Sequence, residues 1–153
     1  FALSRPLVYP LGQTVTLLAD AAEDVVISKS ITLDLGGKTL TFISAPNLHW
    51  PDSMFTYVKE DNVLFTCDFL GCHFCEPTMK DTGIHPVYRN AYEGELRYYF
   101  DCIFGPFKPH VLAGLDKLEP LNPSIICPSH GPCLTGRIAE IEGLYRQWST
   151  STA

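Results

Sequence analysis

Between Ala45 and Glu76 the chain reads APNLHWPDSMFTYVKEDNVLFTCDFLGCHFCE, and this stretch leaves little freedom in how it can fold. Met54-Phe-Thr-Tyr-Val58 alternates like a half-buried strand. Lys59-Glu-Asp-Asn62 is a polar turn, and Val63-Leu-Phe-Thr66 is a second short strand. A hairpin of this kind brings its outer ends together. His49, in the loop before the first strand, and Asp68, directly after the second, are therefore expected at one end of a small sheet. Ser124-Ile-Ile-Cys127 reads as a further buried strand, and the loop Pro128-Ser-His-Gly131 places His130 at its exit. Imidazole nitrogens and a carboxylate from separate loops are the donor types that iron and zinc take.

Each of these residues also has a plainer reading. His49 and His130 fit turn histidines bonded to backbone. Asp68 fits an Asx-type cap of the turn Phe69–Gly71. An unpaired carboxylate at the end of an apolar strand is costly to bury, which favours a partner for Asp68, either a metal or a set of N–H groups.

The rest of the chain fills out an α+β pattern, strands first and helices later. Strand-like pieces run over Thr14–Leu18, Val25–Ile27, Ile31–Leu35 and Lys38–Ile43, with Gly36-Gly37 as a tight turn. Residues 69–88 lack regular pattern, and a loop of that length is often functional or a lid. Helical spacing runs from Ala91 to Phe104 (Leu96, Tyr99, Phe100, Ile103), from His110 to Leu118, and from Thr135 to Trp148. At 153 residues one domain with a sizeable core is expected. The formal charge of −6, with no basic run, argues against nucleic-acid binding through a charged surface. No apolar run reaches bilayer-spanning length and no signal-peptide pattern is visible. The six cysteines, set beside histidines and carboxylates, point to a reducing, cytoplasmic protein rather than a disulfide framework.

The segments LHWPDSM, LFTCDFLGCH and PSHGP resemble the second half of the metallo-β-lactamase-like domain of flavodiiron proteins, and the resemblance runs from about Ser30 to Ser149. It implies half of an αββα sandwich over residues 29–149, followed by a short tail at 150–153. It implies that His49, Asp68 and His130 are metal ligands, with Asp68 bridging two irons, and that His73 stands in the shell around them. The implied activity is reduction of O₂ or NO at a non-haem diiron site, with zinc as the other ion that His and Asp suit. Electrons would come from FMN on a flavodoxin-like domain, with a partner such as rubredoxin behind it, and nothing in this chain reads as an FMN site. The family's upstream H-x-E-x-D-H motif is absent from these residues. The first residue is Phe1 rather than Met. The chain is therefore expected to be a partial domain with an incomplete site, completed by a complementary N-terminal half or by a homo-oligomer. Residues 1–28 form an uncertain N-terminal segment, since TVTLLAD and VVISKS resemble strand repeats of bacterial surface β-helix proteins.

Two other readings stay open on the sequence. Cys67-x₄-Cys72-x₂-Cys75, with Cys102 beyond, has the spacing of plant-type iron–sulfur ferredoxins, although Phe69, Leu70, His73 and Phe74 crowd that loop. A zinc site from Cys72, His73, Cys75 and a distant cysteine is a variant of it. The other reading is a non-catalytic scaffold or interaction fragment.

Overall fold

The computed structural model describes residues 14–16 and 30–151. The expected strand Val25–Ile27, and most of the N-terminal segment, lie outside the described residues. Six strands form one sheet in chain order: β1 (Thr14–Thr16), β2 (Ile31–Asp34), β3 (Thr39–Ser44), β4 (Met54–Val58), β5 (Val63–Cys67) and β6 (Ile125–Pro128). β2 to β5 are antiparallel neighbours, and the two outer pairs, β1–β2 and β5–β6, are parallel. The Gly36-Gly37 turn closes through a bond from Leu35 N–H to the Lys38 carbonyl, with Gly36 at φ +76°. Only a residue without Cβ takes that backbone angle at no cost.

Period-two alternation sorts the strands into two faces. Phe55, Leu64 and Ile126 point to one face and are fully buried, together with the hydroxyl of Thr66. Three helices cover that face: α1 (Arg89–Tyr99), α2 (Lys108–Leu118) and α3 (Ile138–Thr150). They contribute Tyr92, Leu96 and Tyr99, then Val111, Leu115 and Leu118, then Ile141 and Tyr145. Leu33, Leu40, Phe42, Met54, Val63 and Phe65 point to the opposite face and are only partly covered, Phe65 being 46% exposed. One sheet with helices on a single face is the α+β layer pair anticipated for half of an αββα sandwich.

Several elements differ from the sequence reading. α1 stops at Tyr99, and the chain widens through a π-type turn, Phe100–Phe104, before a short 3₁₀ turn leads into α2. That turn lets both Phe100 and Phe104 reach the core, at 1% and 0% exposure. α3 starts at Ile138 rather than Thr135 and runs on to Thr150. Its late start has a cause in the supposedly patternless loop. Asp81, 4% exposed, accepts hydrogen bonds from the backbone N–H groups of Thr135, Gly136 and Arg137 and from the Thr135 hydroxyl. Those groups are thus bound to a carboxylate instead of entering the helix. Tyr92 is fully buried, whereas Trp50 and Tyr98 are surface residues at 63% and 65% exposure.

Candidate metal centre

β4 runs antiparallel to β5, and β6 runs parallel to it. The start of β4 and the ends of β5 and β6 therefore lie at the same end of the sheet. From there His49, Asp68 and His130 converge. Asp68 Oδ2 is 3.2 Å from His49 Nε2, and Asp68 Oδ1 is 3.2 Å from His130 Nε2. The carboxylate is the least exposed of the three, with its side chain at 20%, against 28% for His49 and 46% for His130.

Local packing holds each donor in place. Leu48 is buried against α2, where the absence of a side chain at Gly114 makes room: a Cβ there would lie 2.5 Å from Leu48 Cδ1. Lys117 Nζ also bonds to the Ser44 carbonyl at 2.6 Å, fastening the start of the His49 loop to α2. Asp68 opens a turn flanked by two positive-φ residues, Cys67 and Leu70, and the turn is anchored by the buried side chains of Phe69 and Leu70. Tyr99 Oη donates to the Asp68 carbonyl at 3.3 Å. The Asp68 and His130 loops are clamped together by Cys72 N–H, which donates to the His130 carbonyl at 3.3 Å.

Gly131 completes the clamp. It sits at φ +81°, and a Cβ there would lie 2.8 Å from the Cys72 carbonyl oxygen and 2.9 Å from its sulfur. Gly131→Ala is therefore expected to lower stability by about 2 kcal/mol, since left-handed strain and overpacking act together. Chemical denaturation compared with Gly94→Ala, a helix position with open space, checks this.

The carboxylate is shared rather than aimed at one point, one oxygen facing each imidazole. Accordingly, no three His, Cys, Asp or Glu side chains among the described residues are grouped to hold a single ion. Each side instead presents one nitrogen and one oxygen. Two ligands bound at about 2.1 Å to one ion stand about 3.0–3.4 Å apart, so each His–Asp pair has the edge length of a coordination shell. These are donor types that iron and zinc take, at a spacing compatible with ligation.

His73 is exposed, its ring centroid 5.0 Å from that of His130 and 4.9 Å from that of Tyr99. It lines an open cleft of about 560 Å³ that also includes Cys72, Glu76, Ser129 and His130. His85 caps a 3₁₀ turn by accepting from Val87 N–H, and His110 meets the Asn47 side chain at 3.2 Å. Both lie outside the trio. Among the described residues, the cysteines of the iron–sulfur reading are not grouped as ligands of one ion. Cys67 donates to the Met54 carbonyl, and Cys72 is 1% exposed, with burial pushing its thiol up to about 12. Sequence reasoning missed Tyr99 as a support of Asp68; its only signal was helical spacing, which marks a core residue without showing where its hydroxyl ends.

No family profile matches the chain. Individual proteins do. A flavo-diiron protein of Clostridium acetobutylicum, FprA2, is 55% identical over 122 residues, covering 78% of this chain and 30% of that protein. Among solved structures, a variant of the flavo di-iron protein of Thermotoga maritima superposes with a TM-score of 0.73 at 27% identity, over 82% of this chain and 30% of the other. The rubredoxin oxygen:oxidoreductase of Desulfovibrio gigas gives 0.69 at 31% identity, over 86% of this chain and 32% of the other. The chain spans about a third of the length of these relatives. On sequence and on fold together, it belongs with the flavodiiron proteins, as the homologue of one segment of their metallo-β-lactamase-like core.

Proposed function

We propose that this chain supplies one half of a flavodiiron-type metal centre, with His49 as ligand on one side, His130 on the other, and Asp68 bridging the two. The observation that carries this reading is the divided carboxylate, one oxygen at 3.2 Å from each imidazole. Iron is the ion the homology favours, and zinc suits the same donors. Two irons bound there would supply open coordination positions for reducing O₂ or NO. The chain's own residues fix the geometry. Asp68 holds both imidazoles in register, Tyr99 and the buried Phe69 hold Asp68, and His73 stands beside His130, where it can orient ligands or move protons. The remaining ligands come from a complementary segment of the H-x-E-x-D-H kind or from a second subunit. FMN and a rubredoxin-type donor belong to other parts of the assembly. No helix among the described residues is long and apolar enough to cross a membrane.

Anaerobic titration with Fe(II), and with Co(II) as a coloured probe, tests this. Wild type is expected to take up metal. Asp68→Ala is expected to weaken uptake on both sides at once, and His130→Ala on one. A loss of about 10–100-fold is the scale seen even for partners of metal ligands. Equal uptake by wild type and Asp68→Ala would overturn the site. No uptake by any of them would favour a second reading, a scaffold or interaction segment, for which the partly covered apolar sheet face is the supporting observation.

A further inference from the structure

The loop that carries His130 begins and ends in cysteine, and the backbone sets those two cysteines opposite each other. Ile126 and Leu134 form an antiparallel bridge in which each N–H donates to the other's carbonyl, at 3.0 and 2.8 Å. One step toward the loop, Cys127 faces Cys133. The polar groups of the bridge pair point at each other, so those of the next pair must point outward. They do. Cys133 N–H donates to the Met79 carbonyl and its carbonyl accepts from Asp81 N–H, both at 2.9 Å, while Cys127 is paired in register with Phe65 of β5. Cys127 and Cys133 are therefore a non-hydrogen-bonded cross-strand pair. Such pairs hold their Cα atoms about 4.5 Å apart, inside the range of about 4.4–6.8 Å that a disulfide spans. Both side chains leave the same face of this small ladder.

Burial and the neighbouring Cys133 thiol together push the Cys127 thiol up, to about 11. All six cysteines are free in this structure, and Cys127 and Cys133 are each partly exposed, within reach of a small oxidant.

We propose that Cys127 and Cys133 are an oxidisable dithiol that takes a hydroperoxide as its oxidant and closes to a disulfide across the neck of the His130 loop. In the reaction one thiolate sulfur attacks the peroxide, the O–O bond breaks, and an alcohol or water leaves. The resulting sulfenic acid condenses with the second thiol, forming the S–S bond and releasing water. Two thiols and one hydroperoxide thus give one disulfide, one alcohol (water, when the oxidant is hydrogen peroxide) and one water. The inference goes beyond the metal reading and does not depend on it, since the pairing is set by the β6 ladder alone.

Peroxide treatment of the purified chain, followed by denaturing alkylation and peptide mapping, tests it. Cys127 and Cys133 lie in one tryptic peptide, Leu118–Arg137. After hydrogen peroxide this peptide is expected to lose two hydrogens in mass and both alkyl groups, and a thiol reductant should restore them. The other four cysteines should still alkylate. In Cys133→Ser, and separately in Cys127→Ser, the remaining partner should form no intrapeptide bond. The wild-type map stands by itself if a variant fails to fold. The proposal is overturned if both cysteines alkylate as readily after peroxide as before. It is equally overturned if they are recovered as sulfinic acids, or bonded to other cysteines.

Discussion

Phe69→Ala is expected to lower the stability of this chain by about 3–5 kcal/mol, read as a lower urea midpoint with little change in slope. The ring is fully buried and joins the sheet to the helices. It stacks on Phe55 of β4 at 5.5 Å between centroids and meets the edges of Phe104 and Tyr145 at 5.5 and 5.6 Å. Its tip faces α2 at Gly114, where an added Cβ would lie 3.5 Å away. Truncation removes the buried area and leaves a cavity whose walls belong to several elements, so collapse is difficult. Phe65→Ala is the matched control, four residues earlier on the opposite sheet face at 46% exposure, and is expected to cost about 1 kcal/mol or less. Phe69 also adjoins Asp68 in a turn whose left-handed residues are held by burial. The variant should therefore lose whatever function depends on Asp68 before it loses its fold.

Asp81→Ala is expected to cost about 3 kcal/mol at neutral pH, because it removes a buried carboxylate that satisfies several part-buried N–H donors at once. The carboxylate spans two distant parts of the chain, the 3₁₀ turn Asp81–Gly83 and the residues leading into α3, with bonds of 2.8–3.2 Å. Burial raises its pKa, but the bonds from the Thr135 hydroxyl and the Thr135, Arg137 and Gly136 N–H groups outweigh that, leaving it below the ordinary carboxylate value. A folded-state pKa below the unfolded one means that the stabilisation is complete above the unfolded value, about 3.9. It is lost as the pH falls through the lower, folded value. The stability gap between wild type and Asp81→Ala should accordingly be constant from pH 7 to about pH 5 and shrink below about pH 4. Denaturation curves across that range check it; a gap that widens in acid would contradict this account.

The parts of the fold legible in sequence were those in which one residue's environment is set by its near neighbours. β4 was read to the residue because Phe55 and Tyr57 alternate with residues of the other face, and a polar turn fixes the register with Leu64. The convergence of His49 with Asp68 followed from that hairpin. His130 could be placed because β6 is a short apolar run with a turn after it. The long-range partners could not be read. Nothing around Asp81 announces that its ligands lie more than fifty positions away at Thr135, so the start of α3 was put too early. Tyr92 and Tyr98 look alike in sequence, and only the orientation of α1 decides which is core. The division of the Asp68 carboxylate between two imidazoles was likewise hidden, since spacing shows that groups meet but not which oxygen each one meets.

The parallel pairing of β5 with β6 has a bearing on how the trio is assembled in time. Val63 pairs with Ile125, so 62 positions separate them (125 − 63), and all three helices lie on or beyond the intervening chain. Closing a loop of that size costs about 3–4 kcal/mol of chain entropy, whereas β4 and β5 are joined by a tight turn. His49 and Asp68 are thus brought together by a local hairpin, and His130 by the topology of most of the chain. The His49 and Asp68 side can therefore form with the hairpin, whereas the His130 side waits for β6 to dock on β5.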